Sequence, residues 1–467
     1  MHEFQVFTRW RPQPPNDTSS EIPRQYETHS NNSNLTSINL TPPTPKHKPW
    51  KSNPAFTQVF ESTTTNETIF SALIPPTLPL VLTGQTCNFF AYGHSGSGKS
   101  HTIIGYDFAH DPRNFGLCLS TARALFAALD DESPNSPSEQ IGLGLRMYEL
   151  RKNTAFDLLN HRTKCHIRAG YDGATHLRGE TELLPDGKVR VRPIVTRPCW
   201  RVEELRAALL AGLALRAVGS STVHDQSSRT HAVVEVEVVT RALIDARDAV
   251  VERQSELVPV AKYATDVYIE ESLKAVVKTE EGVYVPNPER GVDQARVDAA
   301  EARKREFEER VRRAEEFVEE VRGRKQEGRP ALGGKFVFVD LAGSEYFREG
   351  MGAAATAGMA KQSPQEQQEG RQINTDLLAL KEVIRARAMK QSRIPFRSSP
   401  LTMVLRSHFL GSNMEDSYSA MILTVSPSSA QFSATMNTLK YGNLVGAAGS
   451  EMKEEEKKKK KKKKTMR

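Results

Sequence analysis

The chain has 467 residues, 26% charged and 38% apolar, with a formal net charge of +7. The ten cations and three glutamates of residues 453–467 account for that whole excess, so the rest is near neutral. That argues against nucleic acid as a partner, because such binders carry a basic face on the folded domain, and the lack of any run of about 18 apolar residues excludes a membrane-spanning helix.

The first strand is expected almost at Met1, running into Arg9-Trp10-Arg11-Pro12. Residues 13–55 are rich in Ser, Thr, Asn and Pro, with Thr41-Pro42-Pro43-Thr44-Pro45 near the centre. This composition predicts a disordered surface insertion, featureless rather than a phosphorylation platform. A strand over Phe56–Phe60 should follow it.

Asn88-Phe89-Phe90-Ala91-Tyr92 reads as a buried strand, and Gly93-His94-Ser95-Gly96-Ser97-Gly98-Lys99-Ser100 comes directly after it. That octet matches G-x-x-x-x-G-K-[ST], and His101-Thr102-Ile103-Ile104 can open a helix behind it. The glycines let backbone N–H groups close around phosphate oxygens. Lys99 can reach β- and γ-phosphates and Ser100 can ligate Mg²⁺. A Gly/Ser-rich turn could match by chance, but the strand before and the Lys-Ser pair within favour a nucleoside triphosphate site.

Two later segments can sense a γ-phosphate. Ser227-Ser228-Arg229-Thr230-His231 precedes an alternating strand, Ala232–Val238. Asp340-Leu341-Ala342-Gly343-Ser344-Glu345 follows the apolar strand Phe336–Val339. An Asp at a strand end can hold Mg²⁺ through water, and Gly343 can offer its N–H to the γ-phosphate.

Between these strands lies an insertion, 241–334, whose Asp293–Arg324 portion is dense in Ala, Glu, Arg and Val. Phe307, Val311, Ala314, Val318 and Val321 fall on one helical stripe. Glu301–Arg305, Glu306–Arg310 and Glu309–Arg313 are favourable i,i+4 pairs. The alternatives are a short partner-binding coiled coil and a solvated helix folded back on the domain. Two heptads are too few for a stable free dimer, which favours the second. The insertion should lie at the sheet end remote from the nucleotide. The four cysteines, Cys87, Cys118, Cys165 and Cys199, show no metal spacing and fit a reducing setting.

In order, these motifs resemble the kinesin motor domain. Arg9-Trp10-Arg11-Pro12 is similar to its adenine-side motif, and Phe90–Ser100 to its phosphate loop. Tyr148-Glu149 and Phe156-Asp157-Leu158-Leu159 resemble a further strand and turn, and the segments at 227–231 and 340–345 resemble switches I and II. Ile373-Asn374 with Leu377-Leu378-Ala379-Leu380 resembles the helix that docks on tubulin. Ile394–Arg397, Leu401-Thr402, Val425-Ser426-Pro427 and Thr438–Tyr441 are similar to the loop, helix, strand and last helix that follow it.

The resemblance implies a three-layer α/β P-loop domain over residues 1–449, with a mostly parallel central sheet and helices on both faces. It implies an ATPase using ATP and Mg²⁺. Lys99, Ser227, Ser228, Arg229, Gly343 and Glu345 would be catalytic, and Ser100, Ser228 and Asp340 would hold the metal. Arg9, Arg11, Pro12, Tyr92 and the stretch from Gly93 to His101 would surround the nucleotide. It implies tubulin as partner and a cytoplasmic, cytoskeletal location, with nucleus or spindle as the alternative. Leu380-Lys381-Glu382-Val383-Ile384-Arg385-Ala386 is similar to the microtubule-depolymerising subfamily, although that subfamily's Lys-Val-Asp finger is not found. The rival output is a nucleotide-gated tether with little turnover, and a monomer is expected.

The chain departs from the family pattern at His94, His224, Tyr346, Ser398 and Pro400. Pro400 is expected to shorten its helix by a turn. The Arg229–Glu345 latch has both partners. Residues 450–467, with the run Lys457–Lys464, form a tail suited to tubulin's acidic tails, to nuclear localisation, or to no selected role.

Overall fold

Phe336 and Phe338 are buried on one side of their strand and Val337 and Val339 on the other, so the sheet they belong to is covered on both faces. The computed structural model describes residues 4–30, 34–43, 48–105, 114–129, 139–170, 174–218, 229–280, 282–324, 329–344, 364–410 and 417–447. The first half holds strands β1 (Gln5–Trp10), β2 (Arg24–His29), β3 (Leu35–Leu40), β4 (Trp50–Lys51), β5 (Gln58–Phe60) and β6 (Thr86–Tyr92). With them come helices α1 (Asn66–Leu73), α2 (Leu78–Leu82), α3 (Lys99–Ile103) and α4 (Leu117–Leu129). Next are β7 (Ile141–Arg151), β8 (Thr154–Asp157), β9 (Thr163–Ala169), β10 (Thr175–Leu183), β11 (Val189–Pro193), β12 (Arg197–Cys199) and α5 (Val202–Val218). The second half runs β13 (His231–Thr240), α6 (Arg241–Lys274), β14 (Val276–Lys278), β15 (Tyr284–Pro286), α7 (Gln294–Gly323) and β16 (Lys335–Asp340). It ends with α8 (Pro364–Ala388), α9 (Pro400–Leu410), β17 (Ser417–Val425) and a helix α10 over 432–447.

Among the described residues the main sheet has 12 strands in the order β11-β10-β9-β8-β7-β13-β16-β6-β17-β1-β5, with β12 on β7. The three-layer α/β arrangement is as expected, but the sheet is mixed. Pairing is parallel from β16 through β6, β17 and β1 to β5, and antiparallel from β16 through β13 and β7 outward to β11. The parallel half carries the phosphate loop. Helices α1–α5 cover one face, with Phe7, Phe89 and Phe338 in that core. Helices α8–α10 cover the other, over Val6, Phe90 and Val339.

The described residues of 13–55 correct the expectation of disorder. β2, β3 and β4 form a sheet of their own, and Ile22, Ile38, Leu40 and Phe56 are buried against Trp10. Polar composition hid a few well-spaced apolar residues, and these anchor the segment. Arg24 stacks over the Trp10 ring at 4.4 Å and pairs with Glu61 at 2.7 Å.

The charged helix of the insertion is neither alone nor folded back on the domain by itself; its partner is a second helix, which packs on β11. α7 pairs lengthwise with α6, a 34-residue helix about 50 Å long at 1.5 Å per residue. Val297, Ala300, Val311 and Val321 form the buried stripe of α7, while α6 supplies Leu243, Ala264 and Val267. Thr240 caps α6 by accepting the Leu243 N–H at 3.2 Å. At the root, Arg247 binds Glu237 through two bonds of 2.7 and 3.0 Å. Near the tip, Glu271 accepts from Arg296 of α7 at 2.5 Å, and the β14–β15 hairpin closes the turn.

Pro400 does not cost α9 a turn. It occupies the first helical position, where its missing N–H is not needed. Ser399 and Thr402 cap that end reciprocally, at 3.2 and 3.1 Å.

Candidate nucleotide site

β6 is buried throughout and delivers the chain to Gly93 at the centre of the sheet. A side chain on Gly93 would put its Cβ 2.3 Å from the Thr424 carbonyl oxygen, so only glycine fits there. Gly96 and Gly98 turn the loop with φ of +73° and +102°, a region that glycine enters without strain. Ser97 Oγ bonds Thr424 Oγ1 at 2.7 Å and ties the loop to β17. Lys99 is buried and donates to the carbonyls of Gly93 and His94 at 3.1 and 2.9 Å. Ser95 and Gly96 are exposed at the mouth.

The other proposed nucleotide contacts sit at different depths. Arg9 is buried beneath α3, where Nη1 donates to Thr102 Oγ1 at 2.8 Å, and burial lowers its pKa to about 10. Arg11 lies beside Gly98 and donates to Gln431 at 3.2 Å, while Pro12 is exposed on the rim. Tyr92 is behind the loop, stacked on Tyr441 with ring centroids 4.0 Å apart. His101 is half-buried, its pKa lowered to about 4 by burial and then by Arg9. Burial likewise holds His94 near 4, so its ring is neutral at pH 7; Nδ1 donates to the Ser95 carbonyl at 2.7 Å.

The second phosphate-sensing segment meets the loop directly. Ser100 Oγ donates to Asp340 Oδ2 at 2.7 Å. Leu341 N–H donates to the Ala91 carbonyl at 3.2 Å and Ser344 N–H to the Gly93 carbonyl at 3.1 Å. A Cβ on Gly343 would lie 2.9 Å from the Ser95 nitrogen, so glycine permits this close approach. Of the first segment, Arg229 is described and half-buried, whereas Ser227, Ser228, His224, Glu345 and Tyr346 lie outside the described residues. So does half of the Arg229–Glu345 latch.

Sequence reasoning missed Arg216. It stands in the last turn of α5, buried, and donates to Asp340 Oδ2 at 2.9 Å and to the Thr230 carbonyl at 3.3 Å. Its signal was available, since Leu205, Leu209, Gly212 and Arg216 share one helical stripe. A charge on a core stripe must have a partner.

The donor set fits a hydrated Mg²⁺. Ser100 Oγ and the Asp340 carboxylate are already together, and Asp340 Oδ1 is buried without a hydrogen-bond partner among the described residues. A hard cation takes such oxygens. Among the described residues no group of three His, Cys, Asp or Glu could hold a metal, and no helix is long and apolar enough to cross a membrane. All four cysteines are buried free thiols.

A phosphate loop between parallel strands, joined by serine and aspartate to a switch, defines a P-loop nucleotide hydrolase. The family model for the kinesin motor domain matches residues 9–261 and 315–448, and the chain belongs to this family of ATPases. It is 25% identical over 390 residues to kinesin-like protein KIF24 of Homo sapiens, and equally to that of Mus musculus, covering 84% of this chain. The chain spans 20% of the length of those relatives. A solved structure of a fast kinesin superposes with TM-score 0.54 at 19% identity, over 95% of this chain and 91% of that one. A mutant kinesin motor ATPase gives 0.55 at 18%, over 95% and 99%. These likenesses show the fold. The family match omits residues 262–314, the outer part of the α6–α7 hairpin.

Proposed function

We propose that this chain hydrolyses ATP with Mg²⁺ and couples each turnover to microtubules, with microtubule shortening as its output. The carrying observation is the 2.7 Å bond between Ser100 and Asp340, which puts phosphate loop and switch II in contact. The loop N–H groups would cradle the phosphates, and Lys99 would leave its two carbonyls for the β- and γ-phosphates. Ser100 and Asp340 would hold Mg²⁺, whose charge offsets that of the phosphates, and Arg216 would keep Asp340 aimed. Attack by water forms the new P–O bond as the bond to the leaving ADP breaks. Ser228 would orient that water and Glu345, latched to Arg229, would relay its proton.

Gly343 and Ser344 then report occupancy, because they already touch Ser95 and Gly93. The segment Ile373–Phe409 would present the result to tubulin, giving the protein a cytoskeletal location. The shortening output rests on Leu380–Ala386. Within it Leu380, Val383, Ile384 and Ala386 are buried against the sheet, so Lys381, Glu382 and Arg385 carry any outward message. The Lys457–Lys464 run would add a salt-sensitive tether to acidic tubulin tails.

Steady-state ATPase rates with and without microtubules, alongside fluorescence imaging of stabilised microtubules, test this reading. Stimulated turnover with shortening supports it. Stimulation with long unidirectional runs replaces shortening by movement. Nucleotide-dependent binding without stimulated turnover leaves the tether.

A further inference from the structure

His231 opens β13 and touches three parts of the motor at once. It follows Arg229-Thr230 of the first switch segment. Its Nδ1 accepts the Ala342 N–H, in the second, at 3.0 Å. An N–H donor makes Nδ1 the unprotonated nitrogen, so the neutral ring carries its proton on Nε2. That Nε2 is buried and has no hydrogen-bond partner among the described residues. It lies 3.8 Å from Oδ2 of Asp376 on α8, a carboxylate buried to 3% exposure. Asp376 is held from its other side, where Oδ1 accepts from Gln372 at 3.1 Å.

Every other bond of this chain of contacts is closed. An N–H···O hydrogen bond usually closes to about 2.9 Å; His231 and Asp376 stand roughly 0.9 Å beyond that length. The ring is rigid and follows Ala342, which lies between Asp340 and Gly343, the residues that meet the phosphate loop. Movement of that segment by about an ångström is enough to make or break the contact, because hydrogen bonds weaken steeply with distance.

We propose that His231 and Asp376 form a contact that closes in one nucleotide state and opens in the other, so that His231 is the positioning residue through which α8 reads the switches. This rests on the functional reading above. Among the described residues neither side chain hydrogen-bonds the phosphate loop, so their role is coupling rather than chemistry. Asp376 sits three residues after Ile373, on the helix assigned to tubulin, but faces the sheet.

The test uses the full chain and co-sedimentation with microtubules, in ADP and in a non-hydrolysable ATP analogue. The wild-type ratio of the two affinities measures the coupling, expected within the usual allosteric range of roughly 5–150-fold. Asp376→Ala should bring that ratio to within about twofold of one, with the melting temperature near wild type. If Asp376→Ala fails to fold, the isosteric Asp376→Asn decides by the same ratio, which should fall at least about threefold. A responsive wild type with an equally responsive folded variant overturns the His231–Asp376 contact alone. A wild type whose affinity ignores the nucleotide overturns the functional reading and this coupling with it.

Discussion

β13 and β16 run side by side from the nucleotide site to the root of the helical hairpin, and their two ends are held by opposite means. At Asp340 the contacts are few, polar and long-range, since Ser100, Arg216 and Thr230 converge from distant segments. At Thr240 and Lys335 the structure is local and repetitive. Two helices bury a narrow stripe of Val and Ala and cover the outside with pairs such as Arg310–Glu306 and Arg313–Glu309, at 2.6 and 2.9 Å. Exposed pairs of this kind contribute little each. A strand pair can therefore carry a precise site at one end and a tolerant graft at the other, because the sheet itself fixes the geometry between them.

The largest effects should come from the nucleotide end. Lys99→Ala should lower ATPase turnover by about 10²–10³-fold or more and weaken nucleotide binding, since it removes a cation buried inside the loop. Steady-state assays and a fluorescent ATP analogue measure both, and unchanged turnover would remove the loop from the chemistry. Arg216→Ala comes next. It leaves Asp340 buried with, among the described residues, Ser100 alone as side-chain partner, and breaking such a pair typically costs about 3–5 kcal/mol. Chemical denaturation should show much of that loss, and the Mg²⁺ concentration for half-maximal ATPase should rise. A variant with wild-type stability and Mg²⁺ dependence would show that Arg216 is a bystander.

The same contrast explains what was legible in the sequence. The phosphate loop declared itself because glycine, lysine and serine are each demanded by backbone or charge at fixed spacing. Its wiring did not, since the partner of Asp340 lies 124 residues away on α5. β13 shows a second limit. Glu235 and Glu237 alternate with valines as on a half-exposed strand, yet both are buried. Burial works against the Glu235 charge, but His408, Lys335 and Arg146 surround it and hold its pKa well below the usual carboxylate range. In the hairpin the period of α7 was readable, whereas α6 was not. Pro259 sits inside α6, where a helix usually ends, yet the helix runs on through it, packed along α7 and β11.

Disrupting that packing should have an intermediate effect. Val267→Asp places a carboxylate against Ala264, Val297 and Ala300, at a local cost of about 3 kcal/mol. Hydrogen exchange should quicken through the outer halves of α6 and α7. Exchange in β6 and α3 should stay as in the wild type. Acceleration reaching the phosphate loop would mean that the two ends are one cooperative unit.

The smallest effect should follow from removing the outer hairpin altogether. Residues 262–314 fall outside the family match, and their fold is closed by their own contacts, Glu271 with Arg296 and the β14–β15 turn. The root has separate anchors in Arg247–Glu237 and in the Lys188–Glu252 bond of 2.5 Å between α6 and the β10–β11 connection. A chain with 262–314 replaced by a short Gly-rich turn keeps those anchors. Shortening a loop changes its closure entropy by only about 0.6 kcal/mol per halving, and β13 and β16 remain paired along their length. Basal ATPase should therefore stay within about twofold of wild type, with the same Mg²⁺ dependence. A larger loss, in a variant whose melting temperature is preserved, would mean that the far end of the sheet tunes the nucleotide end through β13 and β16. The tolerance inferred for the hairpin end would then be wrong.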